Sequence, residues 1–319
     1  MNRKEFNNFI SFLQKNWTVY GPSYDNARNI SIELIENPSA LILNGELPFF
    51  SFKKFFIPQE EDLFEYKNNN LNETKTESDK KAIVGINILD LKSILLYDQV
   101  FERDPYYQVR RQDTLVIGHN FAPDIKNNIF EQKYEEEILE HLSFDIFLAE
   151  IKQNIFKVFS GSKRGQEVLN DFDYKNYQHI QFSGPQREEG NPRMNEIKEK
   201  MKNFNPSIWE KLGEICLECG KCTIICPTCF CYRIDDCPTL EKDKGVKQRC
   251  WDSCFYQEFS EVAGGYKFLN TTAKKIHFWY YHKFVRIPEE FNILGCVGCG
   301  RCAEVCPARI DIRKILKEI

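Results

Sequence analysis

All 13 cysteines of this 319-residue chain lie between Cys216 and Cys306, and none precedes them. Eight fall in two copies of one pattern. The first reads Cys216-Leu217-Glu218-Cys219-Gly220-Lys221-Cys222-Thr223-Ile224-Ile225-Cys226-Pro227 and the second Cys296-Val297-Gly298-Cys299-Gly300-Arg301-Cys302-Ala303-Glu304-Val305-Cys306-Pro307. A C-x2-C-x2-C-x3-C-P run suits a 4Fe-4S cube. Three thiolates of one short, curled segment meet three iron corners, and the fourth reaches over to a neighbouring cube. Two 4Fe-4S clusters are therefore expected, one on Cys216, Cys219, Cys222 and Cys306, the other on Cys296, Cys299, Cys302 and Cys226. Gly220 and Gly300 keep side-chain bulk away from the cube, and Pro227 and Pro307 turn the chain aside after the crossing ligand. Lys221 and Arg301 hold the same place in each copy, where a cation can stabilise a reduced cluster, meet an acidic partner, or simply face solvent.

Zinc is the competing use of Cys-x2-Cys. Zinc sites use two separated cysteine pairs or cysteine with histidine, so the doubled four-cysteine run speaks against it. Cys229, Cys231, Cys237, Cys250 and Cys254 are left over. They admit a third cluster or a redox-active pair, or else a set of small buried side chains near the clusters, and the last reading is favoured because free cysteine packs as a compact hydrophobe. Gly161-Ser162-Lys163-Arg164-Gly165 has neither Walker nor dinucleotide spacing and reads as a turn with Ser162 capping a helix. His119, His141, His179, His277 and His282 pair with no nucleophile or metal motif.

The elements that must position these groups are legible in the hydrophobic pattern. Phe6, Phe9, Ile10, Phe12 and Leu13 share one face of an opening helix. Short apolar runs at 41–43, 49–52, 55–57, 82–86, 115–117 and 155–159 read as strands, with helical patterns at 91–101 and 134–142 between them. Residues 67–81 read as an exposed loop and 183–193 as a domain boundary. Between the cysteine motifs, helices are expected near 253–263, ended by Gly264 and Gly265, and over 272–285. Cys226 and Cys296 stand far apart in the chain, unlike the two motifs of a compact bacterial ferredoxin, and this favours the helical type of two-cluster domain. The expected fold class is α+β: a mixed α/β domain over 1–205 followed by an all-helical two-cluster ferredoxin domain over 206–319.

Hydrophobic residues make up 42% and charged residues 28% of the chain, an ordinary globular balance. The net charge of -4 and pI near 5.9 argue against nucleic acid as a partner. No apolar run approaches the length needed to cross a bilayer, and the start lacks the apolar core of a signal peptide. With cysteines crowded into a single region, a cytoplasmic location is expected.

The runs Cys226-Pro227-Thr228-Cys229-Phe230-Cys231-Tyr232, Trp251-Asp252-Ser253-Cys254, Val262-Ala263-Gly264-Gly265 and Cys296-Val297-Gly298-Cys299-Gly300-Arg301-Cys302 resemble the iron-sulfur β subunit of soluble nickel-iron sulfhydrogenases. They are nearly as similar to the A subunit of anaerobic sulfite reductase. The similarity extends weakly through Lys53-Lys54-Phe55-Phe56, Gly85 with Asp90, and Tyr107-Gln108-Val109-Arg110-Arg111 before Gly118. The resemblance implies a subunit with no catalytic residues of its own. It would pass electrons between a flavin-bearing, NAD(P)H-oxidising subunit and a catalytic subunit, either a nickel-iron hydrogenase or a siroheme reductase. An oxidoreductase that reduces its substrate at the extra cysteines is the other class. The family carries cysteines just before the position of Asp90 and shortly after that of Gly118, whereas Leu89 and residues 121–130 hold none here. A cluster in the first domain is therefore expected to be absent.

Overall fold

The computed structural model describes residues 1–319 apart from 44–46, 69, 75–78, 122–129, 131–133, 187–191, 204–205 and 242. The chain divides into two compact units, one of Met1–Phe52, Ser78–Arg187 and Val297–Cys299, the other of Lys53–Glu77, Glu188–Cys296 and Gly300–Ile319.

The first unit is a mixed α/β layer. Lys81–Asn87 and Thr114–His119 are almost wholly buried strands at its centre, the continuous apolar run expected where both faces of a parallel sheet are covered. They pair parallel to each other, with Thr18–Tyr24 parallel on one side and Ile146–Lys152 parallel on the other. Antiparallel Ile30–Leu34 and Ile155–Ser160 extend the sheet, and Tyr177–His179 makes seven strands in all. The opening helix Arg3–Leu13 starts at a capping box in which Asn2 and Glu5 satisfy each other's backbone N–H groups. It buries Phe6, Phe9, Ile10 and Leu13, as the sequence pattern predicts.

The turn at 161–165 is a structural device. Ser162 Oγ accepts from the Gly165 amide at 3.0 Å and donates to Asp145 at 2.6 Å. Asp145 also accepts from the Val116 amide and pairs with Arg164 at 2.6 Å. A Cβ on Gly165 would lie 1.9 Å from the Asp145 carbonyl oxygen, so the close approach requires glycine.

In the second unit the helix Thr272–Tyr281 packs beside Pro192–Lys202 and Pro206–Ile215. The buried Trp209 meets the rings of His277 and Tyr280 at 5.4 and 5.2 Å. The expectation of an all-helical C-terminal domain is corrected here. Tyr232–Pro238 and Lys244–Trp251 form an antiparallel hairpin, and it is joined by Glu60–Lys67 and Asn70–Glu73 from early in the chain to make a four-stranded sheet. Buried Arg249 bonds to Glu61 across that pairing. Half of the sheet is thus drawn from a distant stretch of sequence, which local periodicity cannot reveal.

Other local expectations also change. The run 55–57 lies mainly in the short helix Lys53–Phe56, and neither 41–43 nor 49–52 forms a strand. Part of the expected loop at 67–81 is the strand Asn70–Glu73, and 75–78 fall outside the described residues. The expected boundary at 183–193 falls partly outside them too, at 187–191. Only the turn Glu136–His141 of the pattern at 134–142 is helical, and it is a 3-10 helix. No helix forms at 253–263. The Asp252 side chain accepts from the Ser253 amide and the Ser253 hydroxyl from the Phe255 amide, local bonds that compete with a helix. Gly264 and Gly265, with φ 95° and 78°, instead turn the hairpin Glu261–Val262/Tyr266–Lys267.

Gly165→Ala is expected to destabilise the protein by about 1–3 kcal/mol through backbone displacement, read as a lower denaturation midpoint. Lys163→Ala, two positions away and highly exposed, should leave the midpoint nearly unchanged.

Candidate metal centre

The two cysteine runs share one backbone conformation. Gly220 and Gly300 are left-handed, φ 71° and 76°, and each opens a one-turn helix, Lys221–Ile224 and Arg301–Glu304. Two positions after the first cysteine of each run the chain is left-handed again, at Glu218 (φ 50°) and Gly298 (φ 75°). A non-glycine residue held there is strained by about 1–2 kcal/mol. Glu218 is fastened by Thr272 Oγ1 at 2.7 Å and Lys275 Nζ at 2.6 Å, both from the first turns of the helix Thr272–Tyr281. Lys275 is itself buried and also donates to the Phe255 carbonyl at 3.1 Å.

That curl brings Cys216, Cys219 and Cys222 to one cavity, and Cys306 from the second run lines it as well. Cys302 lies on the same wall, and Phe255, Ile276, Trp279 and Ile312 make the rest largely apolar. Burial pushes the Cys222 thiol well up, and the nearby Cys216, Cys219, Cys226 and Cys306 push it further. Burial likewise raises Cys216, reinforced by Cys306 and Cys219. Thiols gathered in an apolar cavity resist ionising unless a cationic group binds them. The donor set therefore fits an iron-sulfur cube, whose irons would take those thiolates. Among the described residues no group of three or more His, Cys, Asp or Glu side chains could hold a single metal ion.

Cys226, at the end of the first run, points elsewhere. Its buried sulfur lies 3.2 Å from Lys283 Nζ and 3.1 Å from Thr228 Oγ1. Lys283 Nζ also donates to Thr228 Oγ1 at 3.1 Å and to the Gly295 carbonyl at 2.9 Å, and Thr228 donates to that same carbonyl at 2.6 Å. Gly295 immediately precedes Cys296. The Cys226 thiol is drawn well below its ordinary range by a hydrogen bond from Cys229 and, against burial, by Lys283 and Thr228. Burial lowers the Lys283 ammonium, but Cys226, Cys229 and Cys296 outweigh it and hold the group protonated. Of the remaining ligand candidates, Cys299 is buried and packs with Leu89 and Val297.

Lys283, Lys275 and Thr272 belong to no motif of the sequence, and Thr228 enters only within the run Cys226–Tyr232. The one available signal was a lone lysine within the aromatic stretch Phe278-Trp279-Tyr280-Tyr281-His282-Lys283-Phe284. Lys53 is a second buried cation, donating to the Ile224 and Cys229 carbonyls at 3.0 and 3.3 Å and lying 3.7 Å from the Trp251 ring centroid. Burial brings it down to about 8, against the pull of Cys229, Cys226 and Cys231. The equivalent Lys221 and Arg301 part company, the first exposed and the second buried. Among the leftover cysteines Cys250 and Cys254 are buried, while Cys229, Cys231 and Cys237 are half-buried, and none of the thirteen forms a disulfide. His141, His179 and His277 bond to backbone carbonyls, and burial lowers His119 and His282 to about 4.

Residues 215–310 match the 4Fe-4S dicluster domain family. Over the whole chain, and 97% of the relative, the sequence is 31% identical to the sulfhydrogenase 2 subunit beta of Pyrococcus furiosus. A segment covering 35% of the chain is 27% identical to 7% of a putative pyruvate-flavodoxin oxidoreductase of Synechocystis sp.. No solved structure matches the chain significantly. Among the described residues no helix is long and apolar enough to cross a membrane.

The left-handed Glu218 offers a test of how the first run is held. Glu218→Gly loses the ion pair but relieves the backbone, whereas Glu218→Ala loses the pair and keeps the strain. The alanine variant should be the less stable by about 1 kcal/mol, the conformational strain less the extra chain entropy of glycine. Comparison of denaturant midpoints for the iron-loaded variants decides it. Burial raises the Glu218 carboxyl, but its bonds to Lys275 and Thr272 outweigh that and hold it below the ordinary range. Its stabilising share should therefore be full above the ordinary carboxylate pKa and be lost as pH falls through the lowered value.

Proposed function

Because this chain belongs to the family of sulfhydrogenase β subunits, as an iron-sulfur electron-transfer subunit, we propose that it relays single electrons between an NAD(P)H-linked flavoprotein subunit and the catalytic subunit of a soluble nickel-iron hydrogenase. The full-length relative favours this setting over that of a sulfite reductase. Two 4Fe-4S clusters carry the current in this reading. Cys216, Cys219, Cys222 and Cys306 hold one; Cys296, Cys299, Cys302 and Cys226 hold the other.

The observation that carries the proposal is the exchange of the last cysteines. Cys306 lines the cavity of the first run, while Cys226 is tied through Lys283 and Thr228 to the residue before Cys296. Such crossing would bring the two clusters close together, as conduction requires and mere structural support does not. The bound clusters would supply one-electron chemistry, and the chain's part is to bind them, set their charge surroundings and limit water. Thirteen cysteines without a disulfide suit a reducing compartment, so a cytoplasmic location belongs to the same proposal.

Anaerobically purified protein is expected to carry about eight iron atoms per chain, two four-iron cubes. Cys226→Ala should then impair the centre of the second run more than that of the first, as seen by spectroscopy of the two reduced centres. Selective loss of the centre bound by Cys216, Cys219 and Cys222 would refute the crossed assignment. Mixed alone with NADH or NADPH, the chain should show no bleaching of cluster absorbance, and adding the flavoprotein partner should bring it about. Bleaching without the partner would mean that the first unit binds flavin or nucleotide, and that the chain is an enzyme in its own right.

A further inference from the structure

The two crossing cysteines occupy the same place in the repeat but have different neighbours. After Cys306 come Pro307, Ala308, Arg309 and Ile310, and its sulfur accepts a neutral backbone N–H, that of Ile310, at 3.3 Å. After Cys226 come Pro227, Thr228, Cys229 and Phe230, and its sulfur faces the ammonium of Lys283 at 3.2 Å. Lys283 is 2% exposed. An ammonium has three N–H groups, and here all three have acceptors: Cys226 Sγ, Thr228 Oγ1 and the Gly295 carbonyl. The charge is therefore fixed against sulfur, not free to swing to solvent.

The backbone holds it there. Thr272–Tyr281 continues into a π-helical turn at His282–Arg286 before Ile287–Phe291. Pro288 has no N–H for the ordinary helical bond to the Phe284 carbonyl, and the widened turn accommodates that gap. The Lys283 carbonyl accepts from the Gly295 amide at 2.9 Å. A Cβ on Gly295 would come within 2.7 Å of the Lys283 Cα. Lysine and glycine are thus joined through both backbone and side chain, at the root of the second run.

We propose that Lys283 is the residue that raises the reduction potential of the cluster ligated by Cys226, setting it apart from its partner cluster. The proposal rests on the crossed two-cluster reading above. When the cluster accepts one electron from the flavoprotein side, it gains one negative charge, with no bond made or broken and no proton moved. Lys283 stays protonated and opposes that added charge across a dry, short N–H···S contact, where a hydrogen bond to sulfur and a nearby cation both favour the reduced state. The neutral Ile310 amide at Cys306 gives the other cluster a hydrogen bond without the net charge. Lys283 is a positioning and charge-setting residue; it is not a metal ligand.

The test is a mediated redox titration of the whole iron-loaded chain, followed by electron paramagnetic resonance, in wild type, Lys283→Met, Lys283→Gln and Lys283→Arg. About eight iron atoms and two one-electron midpoints in the wild type test the underlying reading separately. In the neutral variants one midpoint should move negative by at least a tenfold change in the oxidised-to-reduced ratio, about 59 mV for one electron, while the other stays in place. Lys283→Arg should restore most of the shift. Full iron content with both midpoints unmoved in Lys283→Met or Lys283→Gln would overturn the proposal. Loss of cluster iron from both neutral variants would overturn it too, in favour of a purely structural strut.

Discussion

Sulfur ligands that must ionise in a dry interior repel one another and lose the solvation that water gives a thiolate, and the second unit is organised around that difficulty. Burial raises Cys222, Cys231 and Cys254, the hydrogen bond to Cys226 and then burial raise Cys229, and neighbouring thiolates add to the opposition. Buried positive charge is the structural response. Lys283 meets Cys226 directly, and Lys53 lies within the influence of Cys229, Cys226 and Cys231. A lone buried ammonium would be as unfavourable as a lone thiolate. Each kind of charge is tolerable here because the other is present, and because backbone carbonyls and the Thr228 hydroxyl accept further N–H groups.

The four-stranded sheet belongs to the same arrangement. Lys244–Trp251 is the strand that joins the early hairpin to Tyr232–Pro238, and Trp251 at its end supplies the ring over which Lys53 Nζ rests at 3.7 Å. The Trp251 indole N–H donates to the Ile57 carbonyl at 3.2 Å, just beyond the helix Lys53–Phe56. The pairing of Arg249 with Glu61, each 8% exposed at the side chain, fixes the register of strands far apart in sequence. Leaving either charge buried alone would be strongly unfavourable. Register, lysine placement and cysteine surroundings are therefore one problem with one solution.

The repeat also shows how identical backbone geometry can be reached by different chemistry. Gly298 adopts the left-handed conformation without steric opposition, whereas Glu218 holds it through bonds to Thr272 and Lys275. The second run leaves this position without a side chain. The first uses it to tie the cysteine segment to the helix that, one element later, delivers Lys283. Symmetry of the cysteine runs thus coexists with asymmetry of their supports, and in the proposed two-cluster reading differences in electron affinity between the centres would arise from the supports.

The cysteine repeat was readable in the sequence because ligand spacing is a local property: four thiols on a short curled segment, punctuated by Gly220 or Gly300, declare themselves without any fold. The opening helix at Phe6, Phe9, Ile10 and Leu13 and the central strands around 82–86 and 115–117 were readable for the same reason, since their periodicity is carried by adjacent residues. Lys283 and Lys53 were not, because nothing in their immediate neighbours distinguishes a buried cation from a solvated one. The strands Glu60–Lys67 and Lys244–Trp251 escaped a local reading because each completes its backbone hydrogen bonds with a partner far away in the chain. Residues 253–263 escaped it because short side-chain bonds from Asp252 and Ser253 replaced the helical ladder. Sequence alone singled out the thiols proposed to bind iron. Only the tertiary structure decided which charges surround those atoms, because a side chain's burial and partners are set by segments that meet only when the chain is folded.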